Sequence, residues 1–106
     1  MKNDQVYIDH ILDALAQIET YVSGKSYEEF TENQMCIDAV LREMQIIGEA
    51  SKRLSEDFKY AHNSIPWKAI AGFRDKTIHD YFDVNVLTVW ETIEMDLPIL
   101  KQELQK

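Results

Sequence analysis

Apolar residues recur at helical spacing along almost all of this 106-residue chain, and that periodicity restricts the fold more than any other feature. Ile8, Ile11, Leu12, Leu15, Ile18 and Val22 form one stripe, which Ser23-Gly24 stops. Val40, Met44, Ile47, Leu54 and Phe58 form a second, and Val86, Trp90, Ile93, Leu97, Leu100 and Leu104 a third. With only 3 Gly and 2 Pro, the chain lacks the turns that an all-β fold needs. These patterns predict an all-α protein, an antiparallel bundle of four to five helices with short connections.

Local signals set the expected boundaries. Ser26 and Glu29 fit a capping box at SYEEF. Thr31 is positioned to cap the next helix, which the apolar spacing carries to about Phe58. Gly48 inside it costs up to ~1 kcal/mol against Ala, a cost explained by close packing against a neighbour. Asn63 and Ser64 read as loop and cap residues, and Pro66 suits a first helical position, where its missing N–H costs nothing. A helix then runs from about Trp67 to His79 or Asp80. DYFDVN breaks it, with Asp83 or Asn85 capping the last helix, which Pro98 should kink or split after Met95.

No repeat, low-complexity tract or linker interrupts the chain, so residues 1–106 read as a single domain. The single cysteine, Cys36, has no internal partner for a disulfide, and no apolar run approaches ~20 residues. The start MKNDQVYIDH lacks a signal peptide's apolar stretch, so the expected setting is cytoplasmic, without a membrane. The formal net charge is −8, ordinarily unfavourable for a protein that handles phosphate. That charge is unevenly spread, with −6 in residues 1–41, −4 in residues 80–106 and +2 in residues 42–79.

Most chemistry can be set aside. Gly24, Gly48 and Gly72 are isolated and form no phosphate loop. His10, His62, His79 and Cys36 show no metal-ligand spacing, so neither a metal nor another cofactor is expected. Trp67 and Trp90 are core candidates first, and Cys36 reads as a small buried residue. The segment that stands apart is IPWKAIAGFRDKTIHDYF, residues 65–82, which gathers Arg74, Asp75, Lys76, His79, Asp80 and Tyr81 at a helix end. Arg supplies an always-charged fork for phosphate oxygens, and His can take and give a proton near neutral pH. Together they suffice for RNA cleavage without a metal: activate the 2′-hydroxyl, stabilise the charged phosphorane and protonate the leaving oxygen. The same residues also fit an ordinary polar helix end, where a cation is favoured by the helix dipole.

Helix geometry constrains the catalytic reading. Five residues from Arg74 to His79 rotate about 500°, leaving them some 140° apart and ~7.5 Å along the axis. A long Arg, a distorted helix end or a second copy of the chain can close that gap. Acid–base cleavage needs one base and one acid, and each motif holds one histidine. A homodimer with two motifs facing each other supplies both around one cleft.

The run Arg74-Asp75-Lys76-Thr77-Ile78-His79-Asp80-Tyr81 resembles the Arg-x4-His-x-Tyr signature of HEPN-domain ribonucleases, specifically HepT-type toxins. IIGEASKRLSEDF at 46–58, IPWKAIAGFRDKTIHDYFDVN at 65–85 and VWETIEMDLPILKQEL at 89–104 resemble that family's blocks in the expected order. The resemblance implies the HEPN fold, a dimer with a shared cleft, and metal-independent endoribonuclease activity toxic to the host cell. Arg74 and His79 then carry over as catalytic residues and Asp75 as a supporting one. Asp75 stands where the family more often has Asn, and so places a negative charge near the phosphate site. The implied partners are an RNA substrate and an MntA-type nucleotidyltransferase antitoxin, which silences the nuclease by transferring AMP to the motif tyrosine, here Tyr81. AMP beside Arg74 and His79 would occupy the anion site and repel RNA. Two other readings are a non-catalytic helical module that positions the nucleotidyltransferase or its nucleotide, and a plain helical interaction domain.

Overall fold

Side-chain caps fix where the helices begin. In the computed structural model, which describes residues 3–79 and 85–106 and their side chains apart from those of 74–79, Asn3 Oδ1 accepts from Gln5 N and starts α1 (Asp4–Val22). Ser26 and Glu29 close the expected capping box on the short α2 (Tyr27–Thr31). The Ser26 backbone N–H donates to Glu29, which holds that carboxyl below the usual carboxylate range. Gly24 follows α1 with φ +73°, a left-handed conformation that glycine adopts without steric cost.

Helix α3 (Gln34–Arg53) departs from the sequence expectation at both ends. Asn33, not Thr31, is its cap, with Asn33 Oδ1 accepting from Cys36 N at 3.0 Å. Thr31 closes α2 instead, its hydroxyl donating to Glu28 O. The helix also stops at Leu54, whose backbone is extended, and does not continue to Phe58. The physical reason is a competing cap. Ser55 Oγ accepts from Phe58 N at 3.1 Å to open α4 (Glu56–Ala61), which satisfies a donor left orphaned at a helix start. Asp4 then holds that cap from the far end of the chain, accepting from Ser55 N at 2.8 Å and from Ser55 Oγ at 2.6 Å.

Helix α5 (Trp67–His79) begins one residue after Pro66, whose carbonyl accepts from Ile70 N. Asn85 caps α6 (Val86–Glu91), accepting from Thr88 N. Between α6 and α7 (Leu97–Leu104) the backbone widens into one π-helical turn, Thr92–Asp96. This is how the chain accommodates Pro98, which has no N–H to donate and whose ring would crowd the carbonyl four residues earlier. The expected interruption near Met95 is therefore a local widening within one composite helix. The break expected at DYFDVN falls at 80–84, outside the described residues.

The direction of each helix follows from cross-chain contacts. The start of α1 meets the end of α3 at Asp4–Ser55, and its end meets the start of α3, where Cys36 Sγ lies 3.4 Å from Tyr21 O. Helices α1 and α3 are therefore antiparallel. Trp90 of α6 packs on Phe30 of α2, ring centres 5.1 Å apart, while Glu103 of α7 lies 3.9 Å from His62 beside the start of α5. The composite α6–α7 thus runs alongside α3 in direction and against α1 and α5. Four long elements with two short helices make the all-α bundle that the periodicity predicts.

Helix α3 is the centre of the bundle, packed on α1 along one side and on α5 along another. Its buried residues include Ile37, Val40, Leu41, Met44, Ile47, Gly48 and Ala50. They meet Ile11, Leu15 and Ile18 of α1, Ile70 and Phe73 of α5 and Leu100 of α7 in one core. Ile47→Ala should therefore lower unfolding free energy by about 2–5 kcal/mol in urea titrations, since its side chain is fully buried. Met35→Ala, on an 83% exposed side chain of the same helix, should change it by less than about 0.5 kcal/mol. Equal losses at the two positions would contradict the assigned core.

Candidate functional site

The motif segment rides on α5, and the start of that helix is held by an aromatic anchor. Trp67 Nε1 donates to Lys59 O at 3.2 Å and to His62 O at 3.1 Å, tying α5 to the end of α4. Phe58 completes the anchor, stacked on His62 at 4.3 Å and edge-on to Trp67 at 6.2 Å. One turn further, Ile70 and Phe73 are buried in the core. Their spacing fixes which side of α5 faces inward. Trp67 and Trp90 are both half-buried against the core, as their spacing suggests. Cys36 is buried, and His10 is exposed.

The backbone is α-helical through His79, so regular helix geometry gives the register of the motif positions on α5. Arg74 and His79 therefore stand about 140° apart around the axis and ~7.5 Å along it. Measured from Ile70, position 74 falls about 40° around the helix in register. Position 79 falls about 180° from Ile70 in helical register. Asp75 follows Arg74 on the same helix. The side chains of Arg74, Asp75 and His79 lie outside the described residues, and Tyr81 falls wholly outside them. The helix thus places the two expected catalytic positions on one element without bringing them onto one narrow face.

Among the described residues, α5 has open space beside Gly72. Gly72 lies seven residues before His79 and within about 20° of its direction. A methyl group added at Gly72 would meet no heavy atom within 4 Å. Beside this face, the first two turns of α5 border a cleft against α3 and α4, lined by Ser51, Lys52, Lys59, Tyr60, Trp67 and Lys68, among others. The sequence signalled this region only through its +2 charge. The cleft itself needs residues from three helices and is visible only once they are packed.

Among the described residues, no helix is long and apolar enough to cross a membrane. No solved structure matches the chain. Residues 11–106 match the family described as Ribonuclease HepT-like. The chain is 41% identical over 106 residues to a protein of Caldanaerobacter subterraneus subsp. tengcongensis named "Putative RNase", covering all of this chain and 95% of the relative. It is 41% identical over 100 residues to "Probable ribonuclease HepT" of Thermococcus cleftensis, covering 94% of this chain and 91% of the relative. A third relative, a "Putative RNase" of Methanocaldococcus jannaschii, is 39% identical over 102 residues, with 96% and 84% covered. A match over nearly the whole chain, taking in the motif on α5, makes this protein a member of the HepT-like ribonuclease family.

Proposed function

We propose that the chain, acting as a single domain, is a ribonuclease that cleaves RNA internally without a metal, and that it is the toxin of a toxin–antitoxin pair. The observation that carries this reading is the family match over residues 11–106, within which Arg74, His79 and Tyr81 all stand at the motif spacing.

In this mechanism one imidazole removes the proton of a 2′-hydroxyl, which then attacks the adjacent phosphorus. The Arg74 guanidinium offers paired N–H donors to the phosphorane oxygens as negative charge builds on them. A second imidazole, protonated, gives its proton to the departing 5′-oxygen. Each chain contributes one His79, so the complete acid–base pair comes from a homodimer whose α5 helices face each other. Such a pairing suits the open space beside Gly72, which shares its helical register with position 79 to within about 20°. Asp75 supports the site by orienting its neighbours, at the cost of a negative charge near phosphate.

Tyr81, two residues beyond His79, is the proposed target of an MntA-type nucleotidyltransferase antitoxin. Transfer of AMP from ATP to its hydroxyl would release pyrophosphate and leave a phosphodiester beside the catalytic groups. The added negative charge would compete with RNA for Arg74. The protein acts in the cytoplasm in this reading, where its RNA substrate and antitoxin are found.

Expression of the chain alone should arrest growth, and Arg74→Ala or His79→Ala should each relieve the arrest. The purified protein should cleave RNA equally well with and without EDTA, with activity down at least ~100-fold in either variant. Equal toxicity of wild type and both variants would contradict the catalytic assignment, and loss of cleavage in EDTA would contradict the metal-free route. Co-expression with the nucleotidyltransferase should add AMP mass to a Tyr81 peptide. An unmodified Tyr81 in a growth-neutral pair would leave inhibition by binding alone.

A further inference from the structure

We propose that the cleft between α3, α4 and α5 is a binding subsite for single-stranded RNA, seating a nucleotide that flanks the one cleaved on α5. The inference rests on the ribonuclease reading for its choice of ligand, and on the cleft's own chemistry for its location.

Its charge is the first observation. The cleft holds about 430 Å³, the size range of sites that hold small molecules or single nucleotides. Lys52, Lys59 and Lys68 line it, against one carboxylate, Glu56. Glu56 is spent on Lys59 at 3.4 Å. Among the described residues, no ion pair or hydrogen bond engages Lys52 or Lys68. In a chain of net charge −8, two uncommitted lysines across one cleft mark a local anion site.

Polar and aromatic groups complete it. Ser51 lines the same cleft, and although the residue is only 1% exposed its Oγ has no hydrogen-bond partner. A buried hydroxyl left without a partner is costly, and it leaves an unspent donor just behind the cleft wall. Tyr60, also lining the cleft, is 81% exposed. An exposed aromatic ring beside lysines is the combination that stacks a base while the backbone phosphate is neutralised.

Position ties the cleft to the motif. Around α5, Arg74 and His79 bound a sector of about 140°. Ala71 and Lys68, which line the cleft, fall inside that sector, at about 60° and 120° from Arg74. Ala71 precedes Arg74 by ~4.5 Å along the axis and Lys68 by ~9 Å. A strand whose scissile phosphate sits at Arg74 can therefore continue towards the start of the helix and lay its next phosphate between Lys68 and Lys52.

The test uses the full-length protein and a 12-nucleotide RNA in which every 2′-hydroxyl is methylated, so that it binds without being cut. Lys52→Gln/Lys68→Gln should weaken binding at least ~10-fold at low salt and reduce the slope of log K against log salt by about 1.4. Tyr60→Ala should weaken it about tenfold. Lys25→Gln/Lys106→Gln, which removes the same charge elsewhere, should change it less than ~2-fold. Thermal melting of each variant confirms folding. With unmodified RNA, the Lys52/Lys68 variant should raise KM and leave kcat within ~2-fold. Unchanged affinity and KM in a protein that cleaves RNA would overturn the subsite and leave the ribonuclease reading intact. Lysine-dependent binding without any cleavage by wild type would do the reverse. Lysine-dependent binding of a poly-glutamate peptide, with no binding of the methylated RNA, would assign the cleft to an acidic protein partner and overturn the proposal.

Discussion

Burial of α3 from two sides is the constraint on which the rest of the structure depends. A helix in contact with α1 along one side and α5 along another must be apolar around much of its circumference, and α3 is. Gly48, costly in an isolated helix, is buried there. Because α3 fixes Ile70 and Phe73 against the core, it also fixes the rotation of α5. The rotation decides which motif positions face outward. Loss of core packing on α3 is therefore a loss of site geometry as well as of stability.

A second constraint is the closure of the bundle by polar contacts between distant segments. Asp4 reaches across 51 residues to the cap of α4, and Lys101 of α7 meets Glu19 of α1 at 2.7 Å. These contacts are of different weight. The Asp4–Ser55 pair is partly buried and satisfies a backbone donor at a helix start, whereas Lys101–Glu19 is exposed and worth little by itself. The Trp67 indole serves the function more directly, since it joins the end of α4 to the first turn of the motif helix.

Much of this was legible in the sequence. Helix stripes, the Ser26–Glu29 box and the start of α5 follow from local patterns, because each depends on residues within one or two turns. The misplaced end of α3 depends on a partner far away in the chain, and its misplaced start on a choice between neighbouring caps. Leu54 continues the apolar period of α3, so periodicity carries the helix to Phe58, yet Ser55 is claimed as a cap by Asp4. Thr31 is a plausible cap, but Asn33 stands closer to the first buried residues, Cys36 and Ile37. Pro98 signals a disturbance, but whether the helix splits or widens is set by packing on both sides. The motif on α5 stands out as candidate chemistry in the sequence because its residues are adjacent. The lysine cleft was not, because Ser51, Tyr60 and Lys68 meet only after folding.

In the proposed mechanism, α5 presents groups that activate a 2′-hydroxyl and protonate a 5′-oxygen. The ends left on the RNA report this chemistry directly. Mass spectrometry of the first products from a short, defined RNA should show a 2′,3′-cyclic phosphate on one fragment and a 5′-hydroxyl on the other. A 3′-hydroxyl paired with a 5′-phosphate would mean that water attacked the phosphorus in place of the 2′-oxygen, and would contradict the account.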